Sequence, residues 1–376
     1  MTRTIIDIHV LQTVPPSNIN RDDTGSPKTA IYGGVQRARV SSQAWKRATR
    51  KAFESLVDPA SLGVRTKRLV ELVEDVIIQR SSIQVPLAGE LAKQAINEAG
   101  IKTKLPKKNA EREEPGYLVF LSRSQIEALA DTAIKAAAED DPAKFLKGTG
   151  LISIANRQHS IDIALFGRMV ADKAELNVDA SAQVAHALSV HTVNNEYDYF
   201  TAVDDQKDND SEADAGAGMI GTVEFNSSTL YRYATVDVDL LRDNLGDDKA
   251  TVAAVAAFVR AFVTAMPTGK QNTFANRTVP DAVLVTVRAT QPINLVGAFE
   301  VPVGEVTGQG RVTTAAQKLV AHAKDINGKF CEEPDAAWGC ALAAAATPFA
   351  DAAELMSFDQ LVSGVSDTVA ERLGQS

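Results

Sequence analysis

Thr4-Ile5-Ile6-Asp7-Ile8-His9-Val10-Leu11-Gln12-Thr13-Val14 alternates in polarity and is rich in Ile and Val. That pattern predicts a strand, because branched side chains fit a pleated surface with period two. Pro15, Pro16, Asn18 and Asn20 break it, and a loop runs from Asn20-Arg21-Asp22-Asp23 to Gly33-Gly34. A helix follows, to about Val57. Residues 229–239 (TLYRYATVDVD) repeat the alternation, and AVLVTVR at 282–288 predicts another strand after an apolar helix over 251–265. Residues 65–99 read as helical, with Leu69, Leu72, Val73, Val76 and Ile77 at helical spacing. A charged, Pro-containing connector spans 102–114. A short buried segment follows at 117–121, then an Ala-rich helix at 124–138 and a mixed stretch at 152–168. Residues 184–193 suit a strand or a short helix. The tail carries two helices, around 313–325 and 358–373, and no internal repeat is visible. Strand–helix, helical insertion, strand, acidic excursion, strand, helix, strand predicts an α+β fold. An antiparallel sheet with helices on one side, a split βαβ or RRM-type module, fits that order, with the insertions as separate lobes.

The 376 residues are 45% hydrophobic and 23% charged, an ordinary globular composition with room for more than one core. No apolar run approaches the roughly 20 residues that span a bilayer. Met1-Thr2-Arg3-Thr4 leads directly into the strand pattern, so no signal peptide is expected. The two cysteines, Cys331 and Cys340, are too few for a four-ligand zinc site and fit a reducing cytoplasm.

Charge is the strongest functional signal. The chain holds 48 acidic and 39 basic residues, a formal charge of -9. Residues 24–53 nevertheless contain no Asp or Glu and carry Lys28, Arg37, Arg39, Lys46, Arg47, Arg50 and Lys51. An acidic total repels nucleic acid, so binding of a polyanion would be local to such a patch. Ser41 or Ser42 caps the helix, and Lys46/Arg50 and Arg47/Lys51 stack at four-residue spacing. Like charges so placed repel by a few tenths of a kcal/mol per pair, a sign that nearby phosphates reverse. First-turn N–H groups with the Ser and Gln side chains add neutral donors for an anion. The plainer alternative is a solvated basic face. A second acid-free window, 251–280, contains Pro267-Thr268-Gly269-Lys270-Gln271-Asn272-Thr273-Phe274-Ala275-Asn276-Arg277. Its residue types suit phosphate, 2′-OH and base contacts; its plainer alternative is a polar helix-to-strand loop.

Other motifs carry less. Gly216-Ala217-Gly218-Met219-Ile220-Gly221 matches G-x-G-x-x-G, but it precedes a strand instead of opening a helix, and reads as a hairpin return. Asp208, Asp210 and Glu212 alternate like calcium ligands within the acidic 204–214 loop, yet Ala213 and Met219 occupy the positions where an EF-hand needs Gly and Glu. No metal pair exists among His9, His159, His186, His191 and His322. His186 or His191 could act as a general base in RNA cleavage, with no second catalytic group positioned. Leu165-Phe166-Gly167-Arg168-Met169 and Tyr197-Asp198-Tyr199-Phe200-Thr201-Ala202 place apolar groups beside turn-forming or polar residues, as base wedges or as core.

Ile8-His9-Val10-Leu11, Asn20-Arg21-Asp22-Asp23, Ala30-Ile31-Tyr32-Gly33-Gly34 and Arg39-Val40-Ser41-Ser42-Gln43 with Lys46-Arg47-Ala48 recur in one family order. Asp162-Ile163-Ala164-Leu165-Phe166-Gly167-Arg168-Met169, Ala185-His186-Ala187, Phe200-Thr201-Ala202-Val203-Asp204-Asp205, Tyr231-Arg232-Tyr233-Ala234 and Gly269-Lys270-Gln271 continue it to about residue 290. The set resembles the CasC-type backbone subunit of the type I-E CRISPR complex, Cascade; regions 60–150 and 300–376 diverge. The resemblance implies an RRM-like (ferredoxin-like) palm, begun by 1–58 and resumed at 181–300. Residues 59–180 would insert a helical fingers lobe, 195–222 a protruding thumb loop, and 301–376 a helical region packed on the palm. It implies a non-catalytic, cytoplasmic subunit without cofactor or metal that stacks with copies of itself and other Cascade subunits along a guide RNA. The guide pairs with one strand of invading DNA, so the protein reads backbone and shape. By position, Lys46 and Arg50 would hold guide phosphates, helped by Arg21, Ser41, Ser42 and Gln43, with Lys270 and Gln271 in the same groove. Arg39 and Arg168, from matching stretches, join that RNA-binding set. Met169 would be a base wedge, Tyr199, Phe200 and Thr201 would lie at the thumb, and 204–214 would form its tip. No RNP1-like signature is present, which favours a helix-and-loop groove over stacking on a sheet face. A guide-precursor ribonuclease and a generic single-strand binder are the competing readings.

Overall fold

The structure is a computed structural model, described over residues 3–107, 112–170, 173–202, 219–304 and 308–374. It is a mixed α+β protein. The strand Ile5–Ser17 is buried along almost its whole length. A strand so covered must lie inside a sheet with both faces packed. Ala282–Arg288 pairs with it antiparallel, Ile8 opposite Val285 and Val10 opposite Val283. Across the sheet the order is Glu354–Leu355, Ala336–Ala341, Ala282–Arg288, Ile5–Ser17, Met219–Asp237, Ala187–Ser189, Val35–Val40, Thr29–Tyr32.

Two expectations are corrected here. Helices cover both faces of the sheet, not one. Leu11, Leu284 and Tyr231 pack with Leu319, Val320 and Phe349 from helices Arg311–Lys329 and Ala343–Ala350. On the other face of the sheet, Val14, Val40 and Leu230 pack with Trp45 and Met266. The sheet is also mixed: Ala336–Ala341 pairs antiparallel with Ala282–Arg288, and Glu354–Leu355 pairs parallel with Trp338–Gly339. The tail therefore contributes strands as well as helices. The Ala-rich segment Ala336–Ala341 has weak strand propensity, and it is the unpaired edge of Ala282–Arg288 that recruits it.

Contacts divide the chain into two units. The sheet unit comprises residues 1–51, 184–235 and 258–368; the second comprises 52–183, 236–257 and 369–376. The second unit has its own core of Leu69, Val73, Ile77, Leu91, Ile96 and Leu129. The expected helix over 65–99 is two helices, Leu69–Arg80 and Val85–Glu98, because Pro86 favours the first turn of a new helix and not the interior of an old one. Helix Arg123–Ala136 starts on a reciprocal capping box between Ser122 and Gln125. Among the described residues no helix is long and apolar enough to cross a membrane.

Candidate nucleic-acid interface

The basic helix is Ser42–Phe53, with Arg50 and Lys51 in its last turn and no acid in its first. Ser41 is its cap: its Oγ accepts from the Ala44 N–H at 3.3 Å, and its own N–H donates to Asn20 Oδ1 at 2.8 Å. Trp45, Thr49 and Phe53, four apart, are buried, which turns Gln43, Arg47 and Lys51 outward. Ser42, Lys46 and Arg50 lie half-buried between the two faces. Partial burial pushes the Lys46 ammonium below its usual pKa. An anion placed there restores the charge stabilisation that lost water withdrew.

Beside the cap runs the loop after the first strand. The Asn20 carbonyl accepts from the Lys28 N–H at 2.9 Å. Asn18 Nδ2 donates to the carbonyls of Gly25 and Glu224 at 3.0 and 2.9 Å. The Asp22 carboxylate accepts from Thr24 Oγ1 and from the Thr24 and Ser26 N–H groups, which holds its pKa below the ordinary value. That loop leaves Arg21 exposed. The 267–277 loop packs directly on it, since a Cβ on Gly269 would collide with the carbonyl oxygens of Ile19 and Asn18. Lys270 (φ +49°) and Ala275 (φ +45°) take left-handed conformations on either side of the short helix Gln271–Phe274. Such conformations in non-glycine residues cost about 1 kcal/mol each and are held only by their surroundings. Gln271 is exposed and Lys270 half-buried. The sheet unit thus gathers Arg21, the Ser41–Gln43 cap, Lys46, Arg50, Lys270 and Gln271 around one packed set of segments.

Not every cation of the acid-free window is offered to solvent. Arg37 is fully buried and donates to the carbonyls of Tyr32, Ser189, Phe299 and Glu300. Arg39 is half-buried; its Nε donates to the Thr29 carbonyl, and one terminal nitrogen donates to His186 Nδ1 at 3.3 Å. His186 is exposed, and its pKa is lowered by partial desolvation and by Arg39 and Lys28. Sequence reasoning missed the importance of Arg232, whose guanidinium lies 3.8 Å from the Trp45 ring centroid. It is 1% exposed. Only the motif Tyr231-Arg232-Tyr233 hinted at it, as an arginine between inward-facing aromatics.

Strand Glu196–Ala202 pairs with the start of Met219–Asp237, Tyr199 opposite Thr222 and Phe200 opposite Gly221. Tyr197 and Tyr199 are exposed on one face, with Thr201 in step. Phe200 is on the other face, its ring across Gly221, where a Cβ would stand 2.5 Å from Cζ. Gly221 is therefore a platform for an aromatic ring, not a phosphate loop. Gly216, Gly218 and the acidic 204–214 stretch lie outside the described residues.

In the second unit, Met169 is 84% exposed and Arg168 5% exposed. Arg168 is corrected accordingly: it is not available to RNA. Its guanidinium donates to the Leu176 carbonyl (2.7 Å), Asn156 Oδ1 (2.8 Å), the Ala155 carbonyl (3.2 Å), Gln125 Oε1 (3.2 Å) and the Phe120 carbonyl (3.4 Å). Burial pushes its pKa down to about 10, so it stays charged at neutral pH. Gly167 (φ +75°) could not carry a Cβ, which would stand 2.7 Å from the Val178 carbonyl oxygen. Arg168 and Val178 exchange backbone hydrogen bonds, and the Val170 N–H donates to Asn177 Oδ1. The arginine, its neighbours and the glycine clamp both sides of Met169.

The histidines weighed as bases sit differently. His191 Nε2 accepts from the Thr229 N–H (3.1 Å) and faces an Arg311 nitrogen (3.3 Å), so the ring proton is on Nδ1, against the Thr192 carbonyl (2.8 Å). Burial lowers its pKa to about 4. Both ring nitrogens are occupied in holding the sheet. Among the described residues no group of His, Cys, Asp or Glu is placed to hold a metal.

Residues 6–364 match the family described as CT1975-like protein. A solved chain titled "CRISPR RNA-guided surveillance complex, pre-nicking" is 35% identical with a TM-score of 0.83, over 97% of this chain and 100% of that one. A second, from a "CRISPR RNA-guided surveillance complex", is 30% identical with a TM-score of 0.74, over 97% of this chain and 99% of that one. Among curated proteins, none matches the chain. A family match across nearly the whole sequence, with the same fold at this identity, makes the chain a member of the CT1975-like protein family.

Proposed function

We propose that this chain is the guide-RNA-binding backbone subunit of a CRISPR RNA-guided surveillance complex. The observation that carries the reading is the end-to-end likeness, at 35% identity, to a chain of such a complex. The subunit is non-catalytic and cytoplasmic, of the CasC type found in type I-E Cascade, and stacks with its own copies along the guide. It supports pairing of the guide with a strand of invading DNA, which leaves sequence discrimination to base pairing.

Strand order supports an RRM-like palm. Ala282–Arg288, Ile5–Ser17, Met219–Asp237 and Ala187–Ser189 stand side by side, which is fourth, first, third, second in chain order. A ferredoxin-like module orders its four strands in the same way, which supports the reading. Residues 59–180 would be the fingers, 195–222 the thumb and 301–376 an extension of the palm. Lys46, Arg50, Arg39, Arg21, Lys270 and Gln271 contact guide phosphates and sugars, with Ser41, Ser42 and Gln43 as neutral donors. Met169 acts as a wedge, and Tyr199, Phe200 and Thr201 as thumb contacts. Contacts of this kind fix register without reading bases.

The test is to express the chain with a CRISPR array and the other complex subunits, purify through this chain at moderate salt, and size the bound nucleic acid. A discrete guide-length RNA in a large complex is expected. Heterogeneous RNA with this chain alone would point to a generic single-strand binder. Cleavage of precursor RNA by the purified chain, lost on substitution of His186, would point to a ribonuclease.

A further inference from the structure

Beneath the proposed phosphate contacts lies a buried polar chain. Arg232 reaches from the long strand to the underside of the basic helix, 3.8 Å from the Trp45 centroid and 4.8 Å from that of Phe262. It donates to the carbonyls of Phe262 and Val263, which precede the 267–277 loop, and to Gln12 Oε1 at 2.5 Å. Gln12, fully buried on the central strand, turns its amide nitrogen to Met266 Sδ (3.2 Å) and to the carbonyl and hydroxyl of Thr278 (3.0 and 3.2 Å). Met266 and Thr278 are the two ends of the loop that carries Lys270 and Gln271. Among the described residues no carboxylate is a hydrogen-bond partner of Arg232, and none partners its Nε. A buried guanidinium without a counter-ion is costly to keep unless it fixes something.

We infer that Arg232 and Gln12 are positioning residues that set the basic helix and the Lys270 loop in register with one another, so that both meet the same stretch of guide. Arg232 locks the helix through Trp45; Gln12 passes that constraint to both ends of the loop. The fork geometry matters, because one guanidinium stacks on two rings while donating in its own plane, which an ammonium cannot do. The inference rests on the RNA-binding reading.

The experiment measures guide-RNA affinity of the full chain, alongside thermal unfolding, for wild type, Arg232→Lys, Gln12→Met, Lys46→Ala, Lys270→Ala and the pairwise combinations. In folded Arg232→Lys, affinity is expected to fall about tenfold, and Lys270→Ala should cost less than it does in wild type. Gln12→Met keeps the stack on Trp45 but frees the loop. In that background Lys270→Ala should lose most of its effect while Lys46→Ala keeps its own. Additive effects in both backgrounds, with a lower melting temperature only, would make Arg232 and Gln12 ordinary core residues and overturn the inference. If Arg232→Lys does not fold, Gln12→Met alone decides. Wild-type chains insensitive to both Lys46→Ala and Lys270→Ala would instead take down the RNA reading, and this inference with it.

Discussion

The basic helix and the Met169 turn both hold side chains out to solvent, by opposite means. In helix Ser42–Phe53 the outward set is a by-product of three buried residues four apart, so any one outward side chain can change without disturbing the rest. The 167–170 turn has no such ladder. Met169 is exposed because one guanidinium is tied down beside it and one glycine permits the bend. Regular structure spreads the task of presentation over many weak contacts, and a turn concentrates it in a few strong ones.

The contrast breaks most readily at Arg168. Arg168→Met takes one donor away from each of three carbonyls and two side-chain oxygens, and should destabilise the chain by about 3 kcal/mol. Lys46→Ala should change stability by under about 0.5 kcal/mol. Denaturant titration checks both, and a loss below about 1 kcal/mol for Arg168→Met would remove the contrast.

Protons give a second handle, of comparable size, because the two units bury different titratable groups. In the sheet unit, burial raises Asp7 to about 6 despite donors from Tyr233 and Ile293. A carboxyl raised in the folded state favours folding below its unfolded pKa, and that contribution fades as pH rises from about 4 to 6. His9 and His191 act oppositely. Burial lowers them to about 3 and about 4, so they favour folding above 6.5 and lose that contribution as pH falls. In the second unit His159, lowered to about 4, has the acid-labile sense, and Glu74, its carboxyl raised by burial, the opposite one. Asp7→Asn should therefore steepen the loss of stability between pH 6 and pH 4 by about 2 kcal/mol. Urea midpoints at those two pH values test it, and parallel curves for mutant and wild type would refute it.

A third prediction sharpens the helix side. Lys46→Ala with Arg50→Ala should weaken RNA binding about tenfold to a hundredfold, similarly for all sequences. It should also flatten the log–log salt slope by about 0.7 for each phosphate no longer neutralised. An unchanged slope in the folded double variant would sink the assignment of those two residues. The smallest effect is expected at Gly221, where Gly221→Ala pushes the Phe200 ring off its platform at a cost of about 1 kcal/mol. Ring resonances of Phe200 that stay unshifted in the variant would contradict this.

Legibility followed the length over which each structure is specified. Ala282–Arg288 could be found from its own apolar, β-branched run, and the start of the basic helix from its serine cap and charge spacing, because both depend on neighbours along the chain; the helix stops at Phe53, short of the expected Val57. Strand Ala336–Ala341 could not, since its alanines and Gly339 have weak strand propensity and only the free edge of a distant strand recruits it. The second covered face was readable in principle: for all its alternation the first strand carries large apolar residues at both parities, Ile5 and Leu11 on one and Ile6, Ile8, Val10 and Val14 on the other, as a sheet open on one side would not. Arg168 was misassigned because charge and motif identify an arginine without revealing whether backbone carbonyls converge on it.

By itself the sequence determined the α+β alternation, the acid-free windows, a serine cap at Ser41 or Ser42 and the family order of motifs. All of these are set by spacing, local backbone preference and residue type. Only the tertiary structure decided which cations face solvent. Arg37, Arg168 and Arg232 are internal pegs, while Arg47 and Lys51 are left exposed. A guanidinium can be buried only where several oxygens or ring faces from separate segments arrive together, and that meeting exists only once the chain has folded.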